Sequence, residues 1–238
     1  MSLYVMADLH LSTKANKPMD VFGSRWHGYM DKIERRWNAL VEKNDTVIVP
    51  GDISWAMKLD EAEEDIRFLD RLNGKKLISK GNHDFWWASE KKMTDAFSLW
   101  DTNTISILHN NAYLLEDSVL CASRGWYVEP KLQGKIFDTD YEKIVSRECG
   151  RLKLSLDCGL RLDPERKLPI YVFLHFPPVF GDFVCRPIID VLHEYRVGRL
   201  FFGHIHGNYI APSSFEYESI KMEIISSDYL DFYPKKII

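Results

Sequence analysis

The residues of this chain with the clearest chemistry fall in five short motifs: Asp8-Leu9-His10, Gly51-Asp52, Gly81-Asn82-His83-Asp84, a lone His175, and Gly203-His204-Ile205-His206. Together they offer carboxylate oxygens, imidazole nitrogens and one amide oxygen, with no thiolate among them. That donor set suits Mn²⁺, Fe or Zn²⁺ and does not suit an iron–sulfur cluster or a thiolate zinc knot. Any one motif alone is weak, since a polar residue after a strand is ordinary and paired histidines also occur in cores. Their conjunction is stronger, because five of the eight histidines lie inside these few motifs. The ligands outnumber what one ion needs. Two divalent ions sharing a carboxylate are therefore expected, at the roughly 3.5 to 4 Å separation of such sites.

Residues so far apart in sequence need elements that aim them at one place. Each motif ends a strand-like run: "LYVMAD" at Asp8, "TVIVPGD" at Asp52, "KLISKGN" at Asn82, "PIYVFLH" at His175 and "RLFFGH" at His204. In open α/β sheets the crevice beyond the strand carboxyl ends gathers ligands, so five such ends can converge. Gly51, Gly81 and Gly203 precede three of the ligands, as sharp turns and close backbone approach require. Between the runs lie the helical patterns "YMDKIERRWNALVEK" and "LDEAEEDIRFLDRL", which makes the first half a series of βαβ units. The middle, "TISILHNNAYLLEDSVLCASRGWYV", packs three strand-like runs around the turns "HNNA" and "EDS" and predicts hairpins. A long amphipathic helix is expected over about 138–160, with Ile144, Val145, Leu152 and Leu156 on one face, then a helix near 187–195 and a last strand in "KMEIISS". No repeat, low-complexity tract or linker divides the 238 residues, and one mixed α/β domain over 1–238 is the most economical reading.

A chain of this length buries a substantial core without staples. Its four cysteines are scattered and form no CxxC pair, as in a reduced, cytoplasmic chain. The start "MSLYVMADLH" has no basic leader, and no stretch approaches the roughly 18 apolar residues of a membrane span, so neither export nor insertion is expected. A net charge of −4 speaks against a protein built around non-specific binding to nucleic acid.

The ordered set D-x-H, G-D, G-N-H-D, a His after a strand and G-H-x-H, running from Asp8 to His206, resembles the calcineurin-like metallophosphoesterase superfamily. The resemblance implies a four-layer α/β/β/α sandwich of two mixed sheets. It implies one metal ion held by Asp8, His10, Asp52 and His206 and a second by Asp52, Asn82, His175 and His204, with Asp52 bridging and His83 catalytic. Many members continue the second motif as G-D-x-x-D-R, whose later Asp orients the catalytic His. Here Trp55 and Ala56 stand at those two positions, which removes the usual orienter of His83 and one usual phosphate contact.

Charge alone dictates the mechanism such a site would use. A phosphoester is shielded by its own oxygens, so hydrolysis needs cations on them, hydroxide near neutral pH and a proton for the leaving oxygen. Two metals provide the first two, and His83 the third. The expected substrate is a small phosphomonoester or phosphodiester. Candidate contacts are Trp86, as an aromatic wall directly after the GNHD motif, and Arg124, with Arg25 and Lys80 as further cations. The polar stretch from Ser12 to Tyr29 is expected to form a lid or rim. Two other readings are a non-catalytic scaffold of the same fold and a nuclease of the superfamily; the first is disfavoured by the intact ligand set, the second by the acidic balance.

Overall fold

The computed structural model describes residues 1–15, 17–128 and 138–238, with the backbone alone at 138 and 139. They form two compact units, Met1–Ile107 with Gly203–Ala211 and Ile225–Ile238, and Leu108–Phe202 with Pro212–Ile224. The chain thus enters each unit more than once.

In the first unit the strands β1 (Leu3–Val5), β2 (Thr46–Pro50), β3 (Lys75–Ser79) and β4 (Ile105–Ile107) run parallel in that order, and a short antiparallel strand, β13 (Lys235–Lys236), pairs with the outer edge of β1. β1 and β2 are buried along their whole length, as near-continuous apolar parallel strands must be. Helices α1 (Tyr29–Leu40), α2 (Glu63–Arg71) and α3 (Glu90–Leu99) supply the connections. α1 buries Tyr29, Ile33 and Trp37 at four-residue spacing, and Ile33 and Trp37 join Val47, Val49, Ile66, Leu69 and Ile78 in one core. α2 carries Glu63, Glu64 and Asp65 in its first turn and Arg71 in its last, in line with the helix dipole. Just beyond its end the buried Lys76 ammonium donates to the carbonyls of Asp70, Leu72 and Gly74. α3 is not among the elements expected from the sequence; its signals are the N-cap Ser89, which accepts from the Lys92 N–H, and the buried pair Met93 and Phe97.

The second unit is built on a six-stranded mixed sheet. Its strands are β5 (Ala112–Leu115), β6 (Ser118–Ser123), β7 (Ile170–Leu174), β10 (Arg199–Phe202), β11 (Ser214–Tyr217) and β12 (Ile220–Ile224), in the spatial order β11-β12-β10-β7-β6-β5. β6, β7, β10 and β12 are parallel, and the two hairpins add antiparallel edges. A small ribbon of β8 (Val179–Phe180) and β9 (Phe183–Val184) precedes α5 (Arg186–Glu194). The long helix α4 (Asp138–Leu162) lies where it was expected and packs on β5 and β6. Its buried face includes Val145, Leu152 and Leu156, and also Glu148, whose carboxylate takes Arg124 at 3.0 Å and Arg151 at 2.7 Å.

Two mixed sheets with flanking helices are the ingredients of the expected α/β architecture. The middle of the chain differs from expectation. Only Ala112–Leu115 and Ser118–Ser123 form a hairpin. Ile105–Ile107 instead pairs parallel with β3 in the first unit, because the alternation of a strand specifies its faces and not its partner. Among the described residues no helix is long and apolar enough to cross a membrane. All four cysteines are free thiols, Cys121 and Cys185 buried and the other two half-buried.

Candidate metal centre

Four proposed ligands sit in backbone that side-chain-bearing residues rarely adopt: Asp8 at φ 61°, His10 at 47°, Asp52 at 51° and His204 at 68°. Such residues cost about 1–3 kcal/mol each and persist where neighbours over-determine them. Here the neighbours are backbone ladders. The Asp8 and His10 N–H groups donate to the carbonyls of Gly51 and Asp52 at 3.0 and 2.9 Å, and the Ser227 hydroxyl donates to the Asp8 carbonyl at 2.6 Å. The His204 N–H donates to Asp8 Oδ2 at 2.9 Å, and the Tyr29 hydroxyl to the His10 carbonyl at 2.6 Å. The strands β1 and β2 therefore do more than end near the site, since they hold the two carboxylates against each other.

The side chains converge accordingly. His10 Nε2 lies 3.3 Å from His206 Nε2 and 3.7 Å from Asp52 Oδ2, and His206 Nε2 lies 3.8 Å from Asp8 Oδ1. Asp8, His10 and His206 offer ligand atoms close enough to share an ion. Asn82 Oδ1 is 3.1 Å from His204 Nδ1, and Asp52 Oδ1 accepts the main-chain N–H of His83 at 2.8 Å. Glycine is required beside both carboxylates: a Cβ on Gly81 would stand 2.1 Å from Asp52 Oδ1, and one on Gly203 2.5 Å from Asp8 Oδ2.

Electrostatics favour a cation here. Burial pushes the Asp8 carboxyl up to about 7 and raises that of Asp52. Burial disfavours a proton on His206, yet the Asp8, Asp228 and Asp52 carboxylates outweigh it and raise this histidine to about 9. A cluster that stabilises positive charge in this way, with carboxylate, imidazole and amide donors in a pocket without thiolates, fits a divalent ion.

The sequence profile of the calcineurin-like phosphoesterases matches residues 1–208. The chain belongs to the calcineurin-like phosphoesterase family. It is thus a metal-dependent phosphoric ester hydrolase. No curated protein sequence matches it significantly. Among solved structures it resembles the phosphopantetheinyl hydrolase of Mycobacterium tuberculosis, at 14% identity and a TM-score of 0.57, over 100% of this chain and 95% of that one. It also resembles the protein AQ665 of Aquifex aeolicus, at 13% identity and a TM-score of 0.52, over 99% and 95%. These likenesses are likenesses of fold.

In this phosphoesterase the departure at Trp55 takes a definite form. The Trp55 ring lies 4.4 Å from the His83 ring and stacks on His10 at 4.9 Å with 22° between planes. Its N–H points to Met19 Sδ at 3.1 Å, and Lys17 Nζ sits 4.5 Å over its face, so the segment after His10 is tied down onto it. Asn16 of the expected lid lies outside the described residues. Among the described residues no carboxylate hydrogen-bonds the His83 ring. Burial lowers its pKa, Asp52 opposes that, and His206 and Lys17 push the same way as burial. Asp84, the last residue of the motif, braces the loop instead: it accepts the main-chain N–H groups of Asp52, Ile53, Ser54 and Gly81.

Two expected substrate contacts are otherwise engaged. Trp86 is 2% exposed in the core of the first unit, and its indole N–H donates to Asp84 Oδ1 at 3.0 Å. It cannot form an aromatic wall; the exposed ring beside His83 is Phe85, 56% exposed at a centroid distance of 6.3 Å. Trp86→Ala is accordingly expected to destabilise the fold by about 3–5 kcal/mol, read from denaturant unfolding, through the cavity and the lost Asp84 bond. Arg124 follows β6 in the second unit and is committed to the buried Glu148. His175 follows β7 in that unit, fully buried. Arg25 donates to the Asp228 carbonyl at 2.8 Å and stacks on Tyr209 at 3.7 Å.

The residue that sequence reasoning missed is Asp228. It is buried, with Oδ1 2.8 Å from His206 Nδ1. Its signal was present, for "MEIISSD" is one more apolar run that ends in a carboxylate.

Proposed function

We propose that this phosphoesterase is dinuclear and hydrolyses a small phosphomonoester or phosphodiester. One ion would be held by Asp8, His10, Asp52 and His206, and the other would take Asp52, Asn82 and His204 among its ligands. The observation that carries the reading is the convergence of Asp8, His10, Asp52 and His206, the first three on strained backbone, with His83 registered against the shared carboxylate. When bound, divalent ions supply Lewis acidity on phosphoryl oxygens and make hydroxide available near neutral pH.

The chain's own residues do the rest. Asp52 positions His83 through the main-chain bond, which does not depend on the imidazole. His83 carries the proton that passes from its ring to the departing ester oxygen. Trp55 packs at a tilt against that ring, 4.4 Å between centroids, and limits the positions it can take.

The test is release of product by Mn²⁺-loaded protein from aryl mono- and diesters, cyclic nucleotides, dinucleoside polyphosphates and a phosphopantetheinyl ester. Metal-dependent turnover of at least one class, abolished by chelator, is the expected result. No turnover on any of them would overturn the reading in favour of a scaffold.

A further inference from the structure

Asp228 lies beyond the stretch that the family profile matches, 1–208, and still reaches into the centre. Fully buried, it spends its acceptor capacity on one loop. Oδ1 meets His206 Nδ1 at 2.8 Å, while Oδ2 accepts the Gly207 N–H at 3.0 Å and the Tyr209 hydroxyl at 3.1 Å. Its carbonyl accepts Arg25.

An ionised carboxylate has no proton to give, so the contact with His206 requires the proton on Nδ1. The lone pair of the neutral imidazole then sits on Nε2. That is the nitrogen facing Asp8 Oδ1 and His10 Nε2, at 3.8 and 3.3 Å. Among the partners of Asp228 only His206 belongs to the proposed metal centre, so the carboxylate acts on the centre through that ring. An imidazole that donates one N–H to a carboxylate is oriented, locked in one tautomer and made a more basic ligand.

We infer that Asp228 is a positioning residue that makes His206 an Nε2 ligand, and so sets the affinity of the ion shared with Asp8, His10 and Asp52. The inference rests on the metal-centre reading above. It differs from that reading in requiring a residue outside the five motifs.

The experiment is a calorimetric titration of metal-free protein with Mn²⁺. Asp228→Asn, which keeps the shape and removes the charge, is expected to weaken one site by about 10- to 100-fold and leave the other near wild type. Tyr209→Phe removes a hydrogen bond to the same carboxylate without touching His206, and is expected to retain wild-type affinity. Unchanged affinity in Asp228→Asn would overturn the proposal. So would an equal loss in Tyr209→Phe, which would make Asp228 a loop brace. Failure of the wild type to take up Mn²⁺ at all would remove the metal reading, and this inference with it. A second measurement needs no variant: histidine ¹⁵N shifts of the Zn²⁺-loaded wild type should show His206 coordinated through Nε2 with its proton on Nδ1. Coordination through Nδ1 would overturn the assignment.

Discussion

Asp52→Asn should lose metal from both positions and lower kcat/KM by at least about 10³-fold, the largest effect expected of any single substitution here. Three structural facts support that magnitude. Asp52 is buried at φ 51°, its Oδ2 lies 3.7 Å from His10 Nε2, and its Oδ1 accepts the His83 N–H. Asn keeps an oxygen for the His83 bond and removes the charge, so it separates loss of metal from collapse of the loop. His10→Ala, by contrast, removes a ligand proposed for one ion and should deplete mainly that one. Elemental analysis of Mn²⁺-saturated samples, alongside kcat/KM, decides the matter. A single ion in the saturated wild type would sink the dinuclear assignment.

His83→Ala should cost about 10²- to 10⁴-fold on an alkyl ester and much less on a nitrophenyl ester. An alkoxide needs a proton as its bond to phosphorus breaks, whereas a nitrophenolate leaves almost unaided. Metal content should not change, since the residue's structural tie to Asp52 is through its main chain and survives in Ala. The pH profile carries a second signature. Burial lowers the His83 pKa from its usual 6.5, and bound cations push in the same direction. The protonated, acid-competent form therefore fades as pH rises through a value below 6.5. Trp55→Asp would place a carboxylate against the ring, raise that pKa and move the limb to higher pH. Rates across leaving groups of graded pKa, with metal content checked in each sample, test all of this. Equal losses for every leaving group would make His83 a brace, and an unmoved limb in Trp55→Asp would show that Trp55 does not set its proton affinity.

The tryptophans show where sequence reading stops. Trp55 and Trp86 both follow ligand motifs in turn-rich stretches, and local composition treats them alike. The fold separates them: Trp86 turns inward to hydrogen-bond Asp84, while Trp55 lies against His10 and His83. Arg124 is a similar case, because the partner that engages it, Glu148, is a buried acid on a mostly apolar helix face that no local pattern announces.

What the sequence determined by itself is the set of strand ends and the side chains, proposed here as ligands, that follow them. Apolar runs of fixed period, stopped by Gly-Asp, Gly-Asn or Gly-His, are local signals, and chain connectivity alone puts each ligand at the carboxyl end of its strand. The long helix from Asp138 follows from the same locality. Only the tertiary structure decided that Ile105–Ile107 pairs with β3, that Trp86 is core, and that Asp228 holds His206. Each depends on a partner remote in sequence, chosen by how buried surface and buried polar groups are satisfied together, and that choice has no period to read.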